Sequence, residues 1–465
     1  MTLSTTEDIR SITDLKRNTN SVLDQIHKTK RPVVLTVNGK AEAVIIDAKE
    51  YEKITHAFNL LKLLVPAEED ISAGRYREAK DSLNSRERIL TALDHREPDR
   101  IPFDLGSCQI TGIHVVAYRN LRKALGLPEI EIELCDAVQQ LASLNDDIIA
   151  RMNIDTRGLY PLNSHNWQVV EEDAGEYWAY RDEWGITHHR PKEDGLYYSV
   201  VKVPLPQTDL TVEDISNHHW PEVGSPERIA GLRKLAENYR ASGYAVVLKD
   251  AFAGIFEFAQ RIVGMENLLL MMITNEKEAC ALFDRLLQLK LDYWQKALAQ
   301  LGDLVDIVTY ADDYGTQESQ IISPDMFRRL IKPRLKILFE TFIKSAPHAK
   351  RFFHSDGNVR PLIPDFLDIG VDILNPVHIR AKDMAPAGLK RDFGRDLVFW
   401  GGGVDTQGAL PLGTPQEVKD DVRRNIEALA PGGGYVFNTI HNIQADVPPE
   451  NIIAMWEALQ EYGVY

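Results

Sequence analysis

Cysteine is scarce in this chain. Cys108, Cys135 and Cys280 are the three present in 465 residues, and no two stand at CxxC or CxH spacing. That excludes a disulfide framework or a thiolate zinc cluster as the organising device, and it fits a reducing compartment. Long hydrophobic runs are missing as well. No stretch approaches the roughly 20 apolar residues of a membrane helix, and no charged, apolar, small-residue pattern opens the chain as a signal peptide would. A soluble, cytoplasmic protein without membrane contacts is therefore expected. Positive charge is in deficit: the net charge of −16 excludes nucleic-acid or membrane-surface binding as a property of the whole chain, though not of a local patch. A GxGxxG phosphate loop after a strand is also absent, since Gly401-Gly402-Gly403 lacks the spacing.

What is present is ordinary globular composition, 44% hydrophobic and 26% charged, in a chain too long for one ordinary domain. Residues 9–84 read as a separate module. Ile12, Leu15, Val22, Leu23 and Ile26 make a helical stripe. Two short β-rich runs flank Asn38-Gly39, a strong hairpin signal, and Tyr51, Ile54, Phe58, Leu61 and Leu64 make a second helical stripe. Residues 1–84 hold 13 Lys+Arg and 13 Asp+Glu, net zero. Any DNA contact must then come from clustering of Lys16, Arg17 and the stretch from Lys28 to Arg31 on one face. Helix, hairpin, helix in this order, with LKRN followed by PVVLTVNGKAEAVIID, resembles the Phd/YefM antitoxins. The resemblance implies a dimeric operator binder and a segment at about Pro66 to Asn84 that wraps a toxin; from the charge clustering, Lys16 and Arg17 are the DNA-binding candidates. Retention of this domain as a dimerisation appendage alone is the competing reading.

From Ser85 a second domain runs to Tyr465. IPFDLG reads as a strand ending at Asp104 and Gly106, residues 107–148 as helical with breaks at Gly126 and Pro128, and DTRGLY as a further strand. The aromatic-rich stretches WQVVEEDAGEYWAYRDEWGITHHR and GLYYSVVKVPLP read as hairpins laid over a surface, a β-rich insertion around residues 160–210. After Pro226 the rhythm is regular: YAVVLKD, VDIVTYADDYG, KRFFHSD, VDILNPV, LVFWGGGVD and YVFNTIH are strand-length apolar runs separated by helical patterns. Repeated βα units with polar residues at strand ends predict an α/β fold, a (β/α)8 TIM barrel carrying a small amino-terminal α+β domain. A doubly wound open sheet is the alternative.

The polar strand ends supply the site candidates. His354 and Asp356 share one side of a strand by alternation. Asp312 and Asp313 point to opposite faces, so one enters the barrel mouth and the other caps the next helix. Tyr310, Asp104 and Asn375 join them as catalytic candidates, and Gly402, Asp405 and His378 as cofactor contacts, all on strand-end placement. Glu257, near a helix start, could supply a further ligand, but an exposed helix residue is the favoured reading.

REPDRIPFDLG, YADDYGTQESQIISPDMF, FFHSDGNVRPLIPDFLDIGVDILNPV, WGGGVDTQGALPLGTPQEV and DVPPENI, in this order, resemble the uroporphyrinogen decarboxylase superfamily from about Ser85 to Tyr465. That superfamily holds metal-free porphyrinogen decarboxylases and zinc-using, corrinoid-linked methyltransferases. The arginine-rich RQAGR segment of the decarboxylases is replaced here by DLGSCQITGI, which removes a carboxylate clamp. The methyltransferases hold zinc with His-x-Cys-Gly and a later cysteine. In this chain those places read His354-Ser355-Asp356-Gly357 and His441. The resemblance thus implies a divalent metal, zinc first, on His354, Asp356 and His441, and methyl transfer between a small methylated substrate and a corrinoid protein. Alternatives are a decarboxylase or lyase, and a DNA-binding regulator in which the barrel is a sensor. A homodimer is expected.

Overall fold

A computed structural model describes residues 8–51, 82–163, 169–206 and 209–465. The chain divides into two compact units, Met1–Lys80 and Asp81–Tyr465.

The second unit is built on seven parallel strands in sequential order: β1 (Thr156–Leu159), β2 (Ala245–Leu248), β3 (Ile307–Ala311), β4 (Lys350–His354), β5 (Ile373–Asn375), β6 (Val398–Trp400) and β7 (Tyr435–Val436). Runs such as AVVL and IVTYA are buried along their whole length, as strands covered on both faces must be. The eighth position belongs to Pro102–Asp104. Asp155 N–H donates to Phe103 O at 2.8 Å, Phe437 N–H to Pro102 O at 2.8 Å, and Asp104 N–H to Phe437 O at 3.0 Å. This segment therefore joins both edges of the sheet and closes the (β/α)8 barrel.

Side-chain alternation divides the core in two. Ala245, Val247, Ile307, Ala311, Phe352, Ile373, Val398, Trp400 and Val436 form one buried cluster, the lumen, joined by Ile89 and Leu93 from helix Ser85–Leu93. Their strand neighbours, including Val246, Val308, Tyr310, Phe353, Leu374 and Phe399, belong to the larger cluster that packs against the helices. Asn84 starts helix Ser85–Leu93 with a capping box to Glu87.

Residues 107–148 are less helical than their pattern suggests. Helix Val115–Ala124 is followed by short strands Leu134–Asp136 and Leu141–Ala142. Gly126, at φ +69°, and then Pro128 leave no continuation for the helix. The insertion between β1 and β2 is a four-stranded antiparallel sheet of Glu172–Ala174, Tyr177–Arg181, Thr187–Pro191 and Ser199–Lys202.

In the first unit, Ile9–Ser11 runs parallel to Val33–Val37, which pairs antiparallel with Lys40–Ile45. Asn38 and Gly39 both take positive φ, 48° and 76°, the primed hairpin turn their sequence calls for. The first helical stripe is two helices, Ile12–Arg17 and Thr19–Thr29, broken where Asn18 leaves helical geometry at φ −130°. Val22, Ile26, Val33 and Leu35 make the buried core. The second stripe beyond Tyr51 and most of the toxin-wrapping segment lie outside the described residues. Among the described residues no helix is long and apolar enough to cross a membrane.

Candidate functional site

β4 ends at His354, in register with Ala311 and Asn375. Phe352 occupies the lumen, so by alternation His354 faces the mouth of the barrel. The chain then turns at Gly357, φ +80°, where a Cβ would lie 2.5 Å from the carbonyl carbon of Gly315. Glycine at this position lets the turn press against the loop after β3. The turn carries Asp356 back over the strand end.

There Asp356 Oδ2 lies 3.8 Å from His354 Nε2 and 3.9 Å from His441 Nε2, and Asp356 Oδ1 lies 3.4 Å from His378 Nδ1. His441 comes from the loop after β7. That loop is tied down by Asn442, whose side chain accepts from Gly112 N–H at 2.6 Å and donates to Gln109 O and Gln139 Oε1 at 2.8 and 2.7 Å. One ligand atom from each of His354, Asp356 and His441 lies within 4.8 Å of the other two. Burial works against ionisation of Asp356, but the imidazoles of His378, His354 and His441 outweigh it and hold this carboxyl well below the usual range. Desolvation lowers His441 below the ordinary imidazole value and favours its neutral form.

The two adjacent acids separate as alternation requires. Asp312 is fully buried on the outward side, where its carboxylate accepts from Phe256 N–H, Glu257 N–H and the hydroxyls of Tyr310 and Tyr314 at 3.1, 2.7, 2.7 and 2.5 Å. It holds first-turn amides of helix Ile255–Val263, which precedes β3, where the sequence suggested a cap on the next helix, and burial pushes it up to about 6 against those donors. Asp313 faces the mouth: its Oδ1 accepts from Asp356 N–H at 2.8 Å and stands 3.7 Å from His354 Nε2. Burial, with repulsion from Asp356 and Glu257, raises it to about 7 although His354 pulls the other way.

The remaining strand-end candidates are placed differently from one another. Tyr310 is buried behind β3, its hydroxyl shared between Asp312 and Ile255 N–H. Asp104 is buried in the lumen, accepting from Thr156, Ser107 and the Trp400 indole, with burial raising its pKa. Neither reaches open space, because strand alternation or depth in the lumen spends every polar atom on the frame. Asn375 lies behind His354, bonded to its Nδ1 at 2.6 Å. Gly402 packs on Val377, where a Cβ would come within 2.6 Å of the valine side chain. Asp405 accepts from Gln407 N–H and Asp421 accepts from Asp405 N–H. Gly402 and Asp405 thus hold the loop after β6 instead of contacting the mouth. His378 stands beside Asp356, accepting from Gly357 N–H at 3.0 Å. Lys16 and Arg17 end helix Ile12–Arg17 with exposed side chains.

Above His354, Asp313 and His441 opens a cavity of about 480 Å³. Sequence reasoning missed most of its wall. Glu257, weighed as a further ligand but read as an exposed helix residue, lines it together with its ion-pair partner Arg261, and Lys249 enters from the end of β2. The insertion closes one side with Tyr180, Asp182, Trp184 and His188, the last bonded to Asp182 at 2.9 Å. Lys249 carries a strand-end signal; the hairpins carry none that says what they fold over.

Comparison with known proteins agrees with this architecture. Residues 204–462 match the family model for uroporphyrinogen decarboxylase (URO-D), and residues 7–80 match that for antitoxin Phd_YefM of type II toxin-antitoxin systems. A uroporphyrinogen decarboxylase from Thermus thermophilus is 27% identical over 144 residues, which cover 30% of this chain and 38% of that relative. Among solved structures, a methyltransferase from Methanosarcina mazei superposes with a TM-score of 0.55 at 19% identity, over 82% of this chain and 99% of that one. The chain belongs to the uroporphyrinogen decarboxylase family and carries a Phd/YefM antitoxin domain at its amino end.

Proposed function

We propose that the barrel is a methyltransferase that moves a methyl group between a small methylated substrate and a corrinoid held by a partner protein, assisted by a divalent cation. The observation that carries this reading is the convergence of three ligand atoms, His354 Nε2, Asp356 Oδ2 and His441 Nε2, at separations longer than a hydrogen bond. Asp356 Oδ1 is buried without a hydrogen-bond partner among the described residues. Its nearest neighbour, His378 Nδ1, lies 3.4 Å away and also receives Gly357 N–H. Buried polar atoms are rarely left so. The separations of 3.8 and 3.9 Å between nitrogen and oxygen ligand atoms are close to the roughly 3.4 Å edge of a tetrahedron with ~2.1 Å metal–ligand bonds. Two imidazoles and one carboxylate suit zinc with an open position.

His354, Asp356 and His441 would hold the ion. When bound it supplies Lewis acidity, which eases negative charge on the atom that loses the methyl group. Asp313, beside the trio and facing the cavity, is placed to hold the proton that the leaving oxygen or nitrogen takes up. The cavity walls align donor and acceptor for in-line substitution and exclude water. Cys135 also lines the cavity but stays a thiol, since burial pushes it up to about 11. Without a thiolate on the ion, activation of an oxygen-bound methyl donor is favoured over activation of an acceptor thiol. The decarboxylase alternative is weakened by the cavity's arginines: Arg228 is paired with Glu183 and Arg261 with Glu257, so neither offers a free fork to a polycarboxylate.

Elemental analysis of wild type beside His354→Ala and His441→Ala tests the reading. Near-stoichiometric zinc in the wild type, lost in both variants, is expected, followed by methyl transfer in the presence of a corrinoid protein. A metal-free wild type purified without chelators would sink it.

For the amino-terminal unit the proposal is a homodimer that binds operator DNA through Lys16 and Arg17 and keeps a toxin as partner. Its support is the family match and the exposure of both residues. Gel-shift titration of upstream DNA, with Lys16→Ala/Arg17→Ala as control, decides this.

A further inference from the structure

We infer that Asn375 is a positioning residue that fixes the tautomer of His354, so that Nε2 is bare before any ion arrives. The inference rests on the metal reading for its purpose but not for its geometry. Asn375 is completely buried, and both ends of its amide are used. Its NH2 donates to the backbone carbonyl of Trp400 at 2.7 Å, and its Oδ1 faces His354 Nδ1 at 2.6 Å. A carbonyl accepts and cannot donate, so Trp400 O decides which way the amide lies. The amide oxygen that is left facing His354 can likewise only accept. The proton of the neutral imidazole must therefore sit on Nδ1.

Trp400 is itself held. Its indole N–H donates to Asp104 Oδ2 at 2.9 Å, and its ring packs edge-on against Phe352 at 5.5 Å between centroids. The chain of constraint thus runs from the lumen through β6 and β5 to the imidazole on β4.

This constraint acts against a real competitor. His354 Nε2 faces Asp313 Oδ1 at 3.7 Å and Asp356 Oδ2 at 3.8 Å. Two carboxylates on that side would draw the proton to Nε2, the tautomer that cannot ligate through this nitrogen. With Asn375 in place, the bare nitrogen faces the Asp356 carboxylate without a proton between them, an arrangement that a cation relieves. Metal-bound histidines elsewhere gain both orientation and basicity from such a partner. Here the partner is a neutral amide, which adds no charge to the site.

Two measurements on the full-length chain test this. The first is long-range 1H–15N correlation of the imidazoles in metal-free, histidine-labelled protein, with the His354 signal assigned by His354→Gln. An Nδ1–H tautomer in the wild type, moving toward Nε2–H in Asn375→Ala, is expected. Nε2–H in the wild type would overturn the inference. The second is zinc affinity by chelator competition. Asn375→Ala is expected to weaken binding by about 10- to 100-fold, while Asn375→Asp, which still accepts from Nδ1, recovers part of that loss. Unchanged affinity in Asn375→Ala would overturn the positioning role. Absence of zinc binding by the wild type would instead overturn the metal reading, leaving the tautomer to be decided by the first measurement.

Discussion

Behind β3 and in front of it lie two regions built from neighbouring residues with opposite polar accounting. Behind the strand, Asp312 accepts four hydrogen bonds and fixes the start of helix Ile255–Val263. In front, Asp356 keeps a buried oxygen with no hydrogen-bond partner among the described residues, and His354 Nε2 looks at two carboxylates across gaps longer than a hydrogen bond. One residue of sequence, and hence one side of a pleated strand, separates Asp312 from Asp313. The difference teaches that charge and burial do not by themselves mark a site. Saturated acids belong to the frame, and unsatisfied ones to what the frame presents.

The contrast breaks most sharply if an atom is removed from either side. Asp356→Ala takes one of three ligands from the mouth, and metal affinity should fall on the order of 1000-fold, given the ~10–16 kcal/mol that a full structural zinc set provides. Thermal stability of the metal-free protein should fall less than in Asp312→Ala, because the lost carboxylate is held by imidazoles and not by a full set of buried donors; chelator competition and a thermal melt report both. Asp312→Ala should do the reverse. Four buried donors lose their acceptor, so unfolding free energy should drop by about 3 kcal/mol in a denaturant titration while zinc content persists. Equal stability losses in the two variants would erase the distinction.

Asp313 sharpens the comparison from the mouth side. If it delivers a proton, Asp313→Asn should slow methyl transfer by about 10- to 100-fold without releasing the metal. The sign of the pH effect follows from its raised value. The proton-bearing form dominates below about 7 in the metal-free site, and a cation on the trio lowers that value, so the wild-type rate should fall as pH rises through a value at or below 7. The asparagine variant should lack that limb.

Much of this division was legible in the sequence, for a physical reason. Alternation in a strand is strict, so the pair Asp312 and Asp313 had to split, and His354 had to face with the lumen residues Phe352 and Ile373. The barrel was legible because its strands are apolar on both faces and each is followed by a helix. Tyr310, Asp104, Gly402 and Asp405 stood at the right strand ends but turned out to be spent on the frame. Position along a strand says which side a group faces and not how many donors meet it there. The roles of Lys249, Arg261 and the insertion's Tyr180 and His188 were not legible, since they depend on where separate elements fold over the mouth. The closing segment Pro102–Asp104 was read as a strand, but its bonding to both sheet edges is a property of the closed barrel alone.

The amino-terminal unit offers an intermediate case and the smallest expected effect. Asp47 is buried and fully paired, like Asp312, accepting from Lys30 Nζ at 2.8 Å and Lys49 N–H at 3.1 Å with His27 Nδ1 at 2.9 Å. The hydrogen bond from Lys30, then that from His27, holds its carboxyl well below the usual range. Yet the side chains of Lys30 and His27 are 47% and 65% exposed, so water and salt screen both partners. A folded-state pKa below the unfolded value of about 3.9 means that the stabilisation is present above that pH and is lost as pH falls through the folded value. Amide exchange at Val22 and Ile26 in the full-length chain should therefore be faster in Asp47→Asn than in wild type at pH 6, and the gap should close as pH falls below about 4. Added salt at pH 6 should narrow the same gap. A gap that salt leaves untouched would move Asp47 into the class of Asp312, a carboxylate whose worth comes from buried hydrogen bonds and owes little to exposed charge.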